Sequence, residues 1–523
     1  MGGSQIKREE HMADLKSNGK PSKMMQVFKW VEKAGNKLPH PFTMFLWLIA
    51  IVVILSAVFG SMGVSVPHPV KEETVAIKSL LTTEGIQYIV LNLVKNFSGF
   101  APLGLVLSMM LGIGLAEQSG LMDAFMKRFI LGAPEKLLVF AVFMIGICGN
   151  IASDAAAVVV PGLAGAIFYG AKKNPIVGII AGYAAANAGF SANIIIAGTD
   201  VLLASITGET AKIINPAIEV SPLANYYFMV VSTLVLAVVG TWLTSKVVVK
   251  IAGDYQPEGQ VLGDTQDYEL KADQLKGLRS AGLISLIYWG LIIAVLIPSN
   301  SPLRGEGGSI ISSPFIKGIV PFLLGWFIAI GIAYGRKVGT VAKSADVPKL
   351  MAKAIEGMSS YIVLVFVMAQ FIAFFNWTNM GLVLSVKLAD LLKAANFTGY
   401  SMVVAVIMIT MFINLFIGSG SAKWALLAPV FVPMFMMLNY SPAFAQVAYR
   451  IGDSTTNAIT PLSPYFAIAL GFMQKYKKEI GVGNFFSLAL PYVLGFGIVW
   501  VLLLAVWFYL RLPLGPGAGI FMP

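Results

Sequence analysis

Residues 137–170 read LLVFAVFMIGICGNIASDAAAVVVPGLAGAIFYG, two apolar arms joined by the polar segment Gly149-Asn150-Ile151-Ala152-Ser153-Asp154. Lys127, Arg128 and Lys136 precede this stretch, and Lys172 and Lys173 follow it. Short basic loops stay on the cytoplasmic side of a membrane, so both ends lie on one side and the segment predicts a re-entrant hairpin. Non-helical backbone at membrane depth persists only where protein buries it or where it lines a watery cavity. The hairpin tip is therefore a candidate site.

Composition places the rest of the chain in the same solvent. Of 523 residues, 57% are apolar and 12% charged, and the mean hydropathy is +0.79, whereas a soluble domain carries about a quarter charged residues. The net charge of +11 comes from cations clustered between apolar runs, a topology signal that argues against a nucleic-acid partner. Cys148 is the only cysteine, which excludes an intrachain disulfide and makes zinc chemistry unattractive. The histidines, His11, His40 and His68, lie ahead of or just beyond the first span, so none serves as a midplane proton relay. No phosphate-cradling Gly-x-x-x-x-Gly-Lys-Ser/Thr motif occurs, so the chain carries no ATP motor of that type.

Working outward, residues 1–11 read as a leader before Met12, and 12–40 as a basic cytoplasmic segment. A single membrane domain follows over 41–523. Spans are predicted at about 41–60, 87–118, 175–206, 226–249, 281–298, 317–334, 359–387, 451–473 and 485–510, each judged against the ~20 apolar residues a bilayer requires. The span at 175–206 is interrupted at Ala188-Gly-Phe-Ser-Ala-Asn193, and the span at 451–473 at Thr460-Pro-Leu-Ser-Pro464. A second hairpin turns at Gly418-Ser-Gly-Ser421. The fold class is thus an all-α polytopic membrane protein of about nine transmembrane helices plus two re-entrant hairpins. The amino terminus is expected in the cytoplasm and the carboxyl terminus outside.

The halves resemble each other. Gly104-Leu-Val-Leu-Ser108 recurs as Gly381-Leu-Val-Leu-Ser385; Ser153 stands eight residues before Pro161, and Ser421 eight before Pro429. A broken span follows each hairpin. The repeats run over about 87–249 and 359–510, joined by a linker at 250–280 and two scaffold spans within 281–334. The first copy starts outside and the second inside, so the repeat is expected to be inverted, the arrangement of ion-coupled carriers with midplane sites.

Charges inside spans are costly and mark ion or substrate paths. Asp154 and Lys423 sit beside the hairpin tips, Asp200 lies in one broken span, and Arg450 and Asp453 open the other. Arg450 and Asp453 share a helix face and can pair with each other; alternatively, Arg450 offers its fork to a substrate carboxylate. Asp200 has no cationic neighbour in the sequence and is the better lone carrier of a coupling ion, with Asp453 and Asp154 as further candidates. Trp424 offers either an aromatic face to a flat substrate or an interfacial anchor. A sodium ion could use Asn150, Ser153, Asn193, Ser419, Thr455 and Asn457; no other cofactor is expected. A channel and an intramembrane hydrolase are competing readings, the second weakened because no histidine accompanies Ser421.

Several segments together identify a family. Leu38-Pro-His-Pro41, Lys95-Asn-Phe-Ser-Gly-Phe-Ala-Pro-Leu-Gly104, Phe375-Asn-Trp-Thr-Asn-Met-Gly381, Gly418-Ser-Gly-Ser-Ala-Lys-Trp424, Tyr449-Arg-Ile-Gly-Asp453 and Leu512-Pro-Leu-Gly-Pro-Gly517 resemble the aminobenzoyl-glutamate transporter (AbgT) family across 30–517. The resemblance implies a bowl-shaped homodimer in the bacterial inner membrane. It also implies transport of a small anionic aromatic substrate: uptake of p-aminobenzoyl-glutamate or, alternatively, efflux of sulfonamide antimetabolites, driven by protons or sodium. Ser153-Asp154-Ala-Ala156 and Thr199-Asp200-Val-Leu-Leu203 look closer to the uptake type. The family's functional positions fall on Asp200, Ser421, Trp424, Pro442, Arg450, Asp453 and Pro461. Gly149 departs from relatives that carry serine there, which removes a hydroxyl from the first hairpin.

Overall fold

The computed structural model describes residues 39–522 except 70–71, 153–154, 254, 256–268 and 312, together with Gln26 and Lys33. The leader and most of the segment before residue 39 therefore lie outside the described residues.

The first span, α1 (Pro41–Ser61), begins where a helix should. Pro41 occupies the first turn, and the His40 ring accepts a hydrogen bond from the Phe42 amide. The loop beyond it folds into a two-stranded antiparallel sheet, β1 (Ser65–Pro67) with β2 (Thr74–Ala76). The second span comprises α2 (Thr83–Ser98) and α3 (Ala101–Gln118). The chain then turns into α4 (Leu121–Leu131), which is bent by 114° from the helix that follows. The sequence suggested a plain loop here. The segment is helical because Leu121, Ala124, Met126 and Ile130 form a buried stripe, while Asp123 and Lys127 pair on the outside at 2.9 Å.

Hairpin one follows as α5 (Leu138–Cys148), a single 3₁₀ turn (Gly149–Ala152) and α6 (Ala155–Gly170). The first broken span is α7 (Pro175–Ala188) and α8 (Gly198–Ala211), and α9 (Tyr226–Leu243) returns across the bilayer. The scaffold pair is α10 (Ala272–Leu296) and α11 (Ile319–Val338). Helix α10 starts within the expected linker: Gln274 caps the Lys271 amide at 2.9 Å, and Asp273 pairs with Lys276. A surface helix, α12 (Asp346–Glu356), leads to the second half.

That half repeats the order of elements. An interrupted span, α13 (Ser359–Trp377) with α14 (Met380–Ala394), precedes hairpin two, α15 (Tyr400–Asn414) and α16 (Gly420–Met437). The second broken span, α17 (Pro442–Thr455), tightens into a 3₁₀ turn (Thr456–Ile459) and resumes as α18 (Pro464–Tyr476). It begins earlier than hydropathy indicated, because its polar residues depress the apolar signal. The two copies of Gly-Leu-Val-Leu-Ser both fall just after a break, in α3 and α14. The last span is α19 (Val482–Leu510). Among the described residues, eight helices are long and apolar enough to cross a membrane, or nine if the bent pair that begins with Leu121–Leu131 counts as one span.

Burial separates two regions. Every residue of α7 and of α17 is buried. In α10 only Gly277 and Ala281 are buried, and Leu283, Leu286 and Leu291 face outward. The glycine- and proline-rich tail after α19 folds back, and the Ser441 amide donates to the Ile520 carbonyl at 2.8 Å.

Candidate functional site

Both broken spans place an unwound segment against a hairpin tip, and a cavity of about 480 Å³ opens between them, within the usual range for small-molecule sites. Ser419, Gly420 and Ser421 of hairpin two, Asn150 of hairpin one, and Asn457 and Ser463 of the second break line it; so do Asp453 and the rings of Phe190 and Tyr465. The serine hydroxyls of the second tip approach each other at 3.2 Å, and Ser419 caps α16 by accepting from the Ala422 amide.

Two ion pairs are buried beside this cavity. Arg450 Nη2 lies 2.7 Å from Asp200 Oδ1, and Lys423 Nζ lies 2.7 Å from Asp453 Oδ1. The same-face pairing of Arg450 with Asp453 is not formed, and Asp200 is not a lone charge. Its other oxygen accepts from the Asn193 amide at 2.6 Å and from the Ala197 backbone at 2.7 Å, a carboxylate set at the start of α8, where the helix dipole favours it. Arg450 also donates from Nη2 to the Ser191 carbonyl. Its Nε and Nη1, and the hydroxyls of Ser191 and Thr199, have no acceptor or partner among the described residues. A buried guanidinium with unused donors is costly unless an anion satisfies it.

Asn414, the last residue of α15, organises the second pair. Its amide nitrogen lies 2.6 Å from the Asp453 carbonyl, 2.8 Å from Thr456 Oγ1 and 2.9 Å from Asn457 Oδ1, three oxygens that share its two protons, while its carbonyl oxygen accepts from Lys423. Gly452 permits this approach, since a Cβ there would meet the Ile407 carbonyl at 2.6 Å.

The remaining expected residues divide by position. Ser421, Asp453, Asn150, Ser419 and Asn457 line the cavity; Arg450, Asp200 and Asn193 stand behind its wall; Ser153 and Asp154 lie outside the described residues. Trp424 is fully buried and does not face the cavity: its ring stacks on Tyr449 at 4.4 Å, and Nε1 donates to Thr207 Oγ1 at 3.0 Å. Thr455 turns its hydroxyl back to the Ile451 carbonyl at 2.9 Å. Pro461 sits in the break next to lining residues, whereas Pro442 starts α17, about 16 Å along the helix from Asp453 at 1.5 Å per residue. Asn414, Tyr465 and the polar partners that extend from Trp424, namely Thr207, Gln446 and Asn225, were not singled out by sequence, and Tyr449 and Phe190 appeared there only as members of quoted motifs. Gln446 lies one turn from Arg450 on the same helix, and that spacing was the available signal.

The sequence profile of the AbgT transporter family matches residues 26–522. The chain belongs to that family. It is 40% identical over 507 residues to the p-aminobenzoyl-glutamate transport protein of Escherichia coli, covering 97% of this chain and 98% of the relative. Two solved AbgT structures share the fold. The YdaH transporter of Alcanivorax borkumensis has a TM-score of 0.86 at 38% identity, covering 91% of this chain and 100% of that one. MtrF of Neisseria gonorrhoeae, described as illuminating a class of antimetabolite efflux pumps, has a TM-score of 0.88 at 40% identity, covering 94% and 100%. This AbgT chain is therefore a transporter with a helical, multi-span architecture.

Proposed function

We propose that the protein is a secondary active transporter that takes up p-aminobenzoyl-glutamate across the bacterial inner membrane, coupled to a proton or sodium gradient. The observation that carries this reading is the buried Arg450, whose Nε and Nη1 lack acceptors among the described residues behind a polar cavity. A glutamate carboxylate would complete the fork. Phe190 and Tyr465 line the cavity and would meet the benzoyl ring, a role the burial of Trp424 takes from it. Asp200 and Asp453 are the coupling carboxylates of this reading, and Ser419, Asn150 and Asn457 the oxygens nearest a coupling ion. The protein would work as a homodimer packed through the scaffold spans, with lipid around them, the amino terminus in the cytoplasm and the carboxyl terminus in the periplasm. The hairpins would enter from opposite faces.

The named function of the Escherichia coli relative supports uptake. The description of the Neisseria gonorrhoeae structure favours a second reading, efflux of antimetabolites. Radiolabelled p-aminobenzoyl-glutamate should accumulate in proteoliposomes under an imposed proton or sodium gradient and leak out when an ionophore collapses it. Accumulation of a sulfonamide, but not of this substrate, in everted vesicles would support the efflux reading. Absence of flux for both compounds under both gradients would remove the transport assignment.

A further inference from the structure

A second cavity, of about 830 Å³, lies between hairpin one and the scaffold pair and is larger than the one at the site. Helix α10 turns one face toward it, Leu278, Ala281, Gly282 and Ser285, at the helical period. The cavity reaches the tip of hairpin one, where Gly149 and Ile151 line it while Asn150 between them lines the site cavity. Its walls are hydrocarbon almost throughout. The indole N–H of Trp326 is spent on Ser285 Oγ at 2.8 Å, and among its described lining residues Arg128 alone is charged.

Two glycines of α10 separate packing from space. A Cβ on Gly277 would meet the Tyr334 ring at 2.8 Å, so the contact between the scaffold helices requires that glycine; a Cβ on Gly282 would meet nothing within 4 Å. Small residues on a membrane helix usually let a neighbour approach. Gly282 instead widens the cavity. Arg128 stands in the last turn of α4 and is exposed at the rim. A Cβ on Gly132 would meet its Nη1 at 2.6 Å, so the guanidinium lies against the loop that follows the helix. The neighbouring Lys127 pairs with Asp123 at 2.9 Å, whereas Arg128 has no ion pair or side-chain hydrogen bond among the described residues. The helix dipole favours a cation at this end but supplies no acceptor for its forked donors.

We propose that this cavity is a binding site for one anionic phospholipid, with an acyl chain in the slot and the phosphate on Arg128. The chemistry of each end selects that occupant. An apolar slot within a bilayer takes hydrocarbon, and an unpaired guanidinium fork takes a phosphate. The loop that carries Arg128 is one the basic flanks assign to the cytoplasmic side, where basic pockets between spans bind anionic headgroups. A water-soluble anion would find a single cation and no further charged contact, and a neutral apolar molecule would leave the guanidinium unused. Because the slot ends on Gly149 and Ile151, the bound chain braces hairpin one on the flank that does not face the site. The proposal goes beyond the transport reading, and its test needs no substrate.

Native mass spectrometry of the purified full chain, titrated in one detergent with phosphatidylglycerol or with phosphatidylcholine of the same acyl chains, counts the lipid retained. Wild type should retain one phosphatidylglycerol per chain at a concentration about tenfold below that needed for phosphatidylcholine, the worth of a charge-assisted contact. Arg128→Ala should bring the two lipids level. Lys136→Ala removes an equal charge from the same basic loop without touching the cavity lining and should keep the selectivity. Gly282→Phe should fill the slot and abolish retention of both lipids. Cys148, the only cysteine and a lining residue, reports position: phosphatidylglycerol should slow its alkylation by N-ethylmaleimide in wild type and not in Arg128→Ala. Equal retention of the two lipids by wild type overturns the proposal, as does selective binding that leaves Cys148 unprotected. A loss of selectivity in Lys136→Ala equal to that in Arg128→Ala would reduce the effect to net charge, and displacement of the lipid by glycerol phosphate would assign Arg128 to a soluble anion; either result overturns it too. Should Gly282→Phe fail to fold, the comparison of Arg128→Ala with Lys136→Ala decides.

Discussion

Arg450 with Asp200 and Lys423 with Asp453 are both buried carboxylate–cation pairs at 2.7 Å, yet they join different things. The first crosses between the halves of the chain, from α17 to the start of α8. The second stays within the second half, tying hairpin two to α17. Their cations differ as well. Arginine is permanently charged and carries donors in a rigid fork, whereas lysine is a compact point charge whose three donors all meet oxygens here, on Asp453, Asn414 and Ile417. A pair with spare donors beside a polar cavity suits anion recognition. A saturated pair suits holding a hairpin tip against a break.

The largest expected effect tests the cross-repeat pair. Arg450→Ala leaves Asp200 buried without its cation and should cost about 3–5 kcal/mol, read as a fall in the unfolding midpoint in detergent. Arg450→Lys should recover part of that stability but lose most substrate binding, because a point ammonium does not reproduce a bidentate contact. Normal affinity in Arg450→Lys would take the guanidinium out of the substrate site.

Asp453→Asn should have a smaller effect, about 1.5–3 kcal/mol, the worth of a hydrogen bond to a charged group, since Asn414 and Ile417 still hold the ammonium. Equal losses for Asp453→Asn and Arg450→Ala would erase the distinction between the pairs.

Trp424→Phe keeps a ring against Tyr449 and removes only the bond to Thr207. It should cost about 1 kcal/mol of stability and leave substrate affinity unchanged by equilibrium binding. A drop in affinity exceeding the drop in stability would return this ring to the substrate.

The smallest effect belongs to the exposed pair at the start of α10, Asp273 with Lys276 at 3.2 Å. Lys276→Ala should change stability by less than about 0.5 kcal/mol, and a larger loss would show that burial is not what gives the two internal pairs their weight.

How much was legible follows from what each segment had to signal. The break at Thr460-Pro-Leu-Ser-Pro464 and the tip at Gly418-Ser-Gly-Ser421 stood out because glycine, serine and proline punctuate otherwise apolar runs. The helix Leu121–Leu131 did not, since an amphipathic surface helix lacks the hydropathy of a span. The start of α17 at Pro442 was missed because Gln446, Arg450 and Asp453 lower the apolar average over residues that are all buried. The site residues were legible as types but not as partners. Asp200 looked solitary, and Trp424 looked available.

The chain by itself determined the spans, the two hairpins, the repeated order of elements and the family, because hydropathy, basic flanks and short motifs are properties of neighbouring residues. Only the tertiary structure decided that Arg450 meets Asp200 and not Asp453, that Trp424 is covered by Tyr449, and that Lys423 meets Asp453. Those outcomes depend on which helices pack together, and a low-dielectric interior makes each buried charge take whichever opposite charge the packing brings within reach.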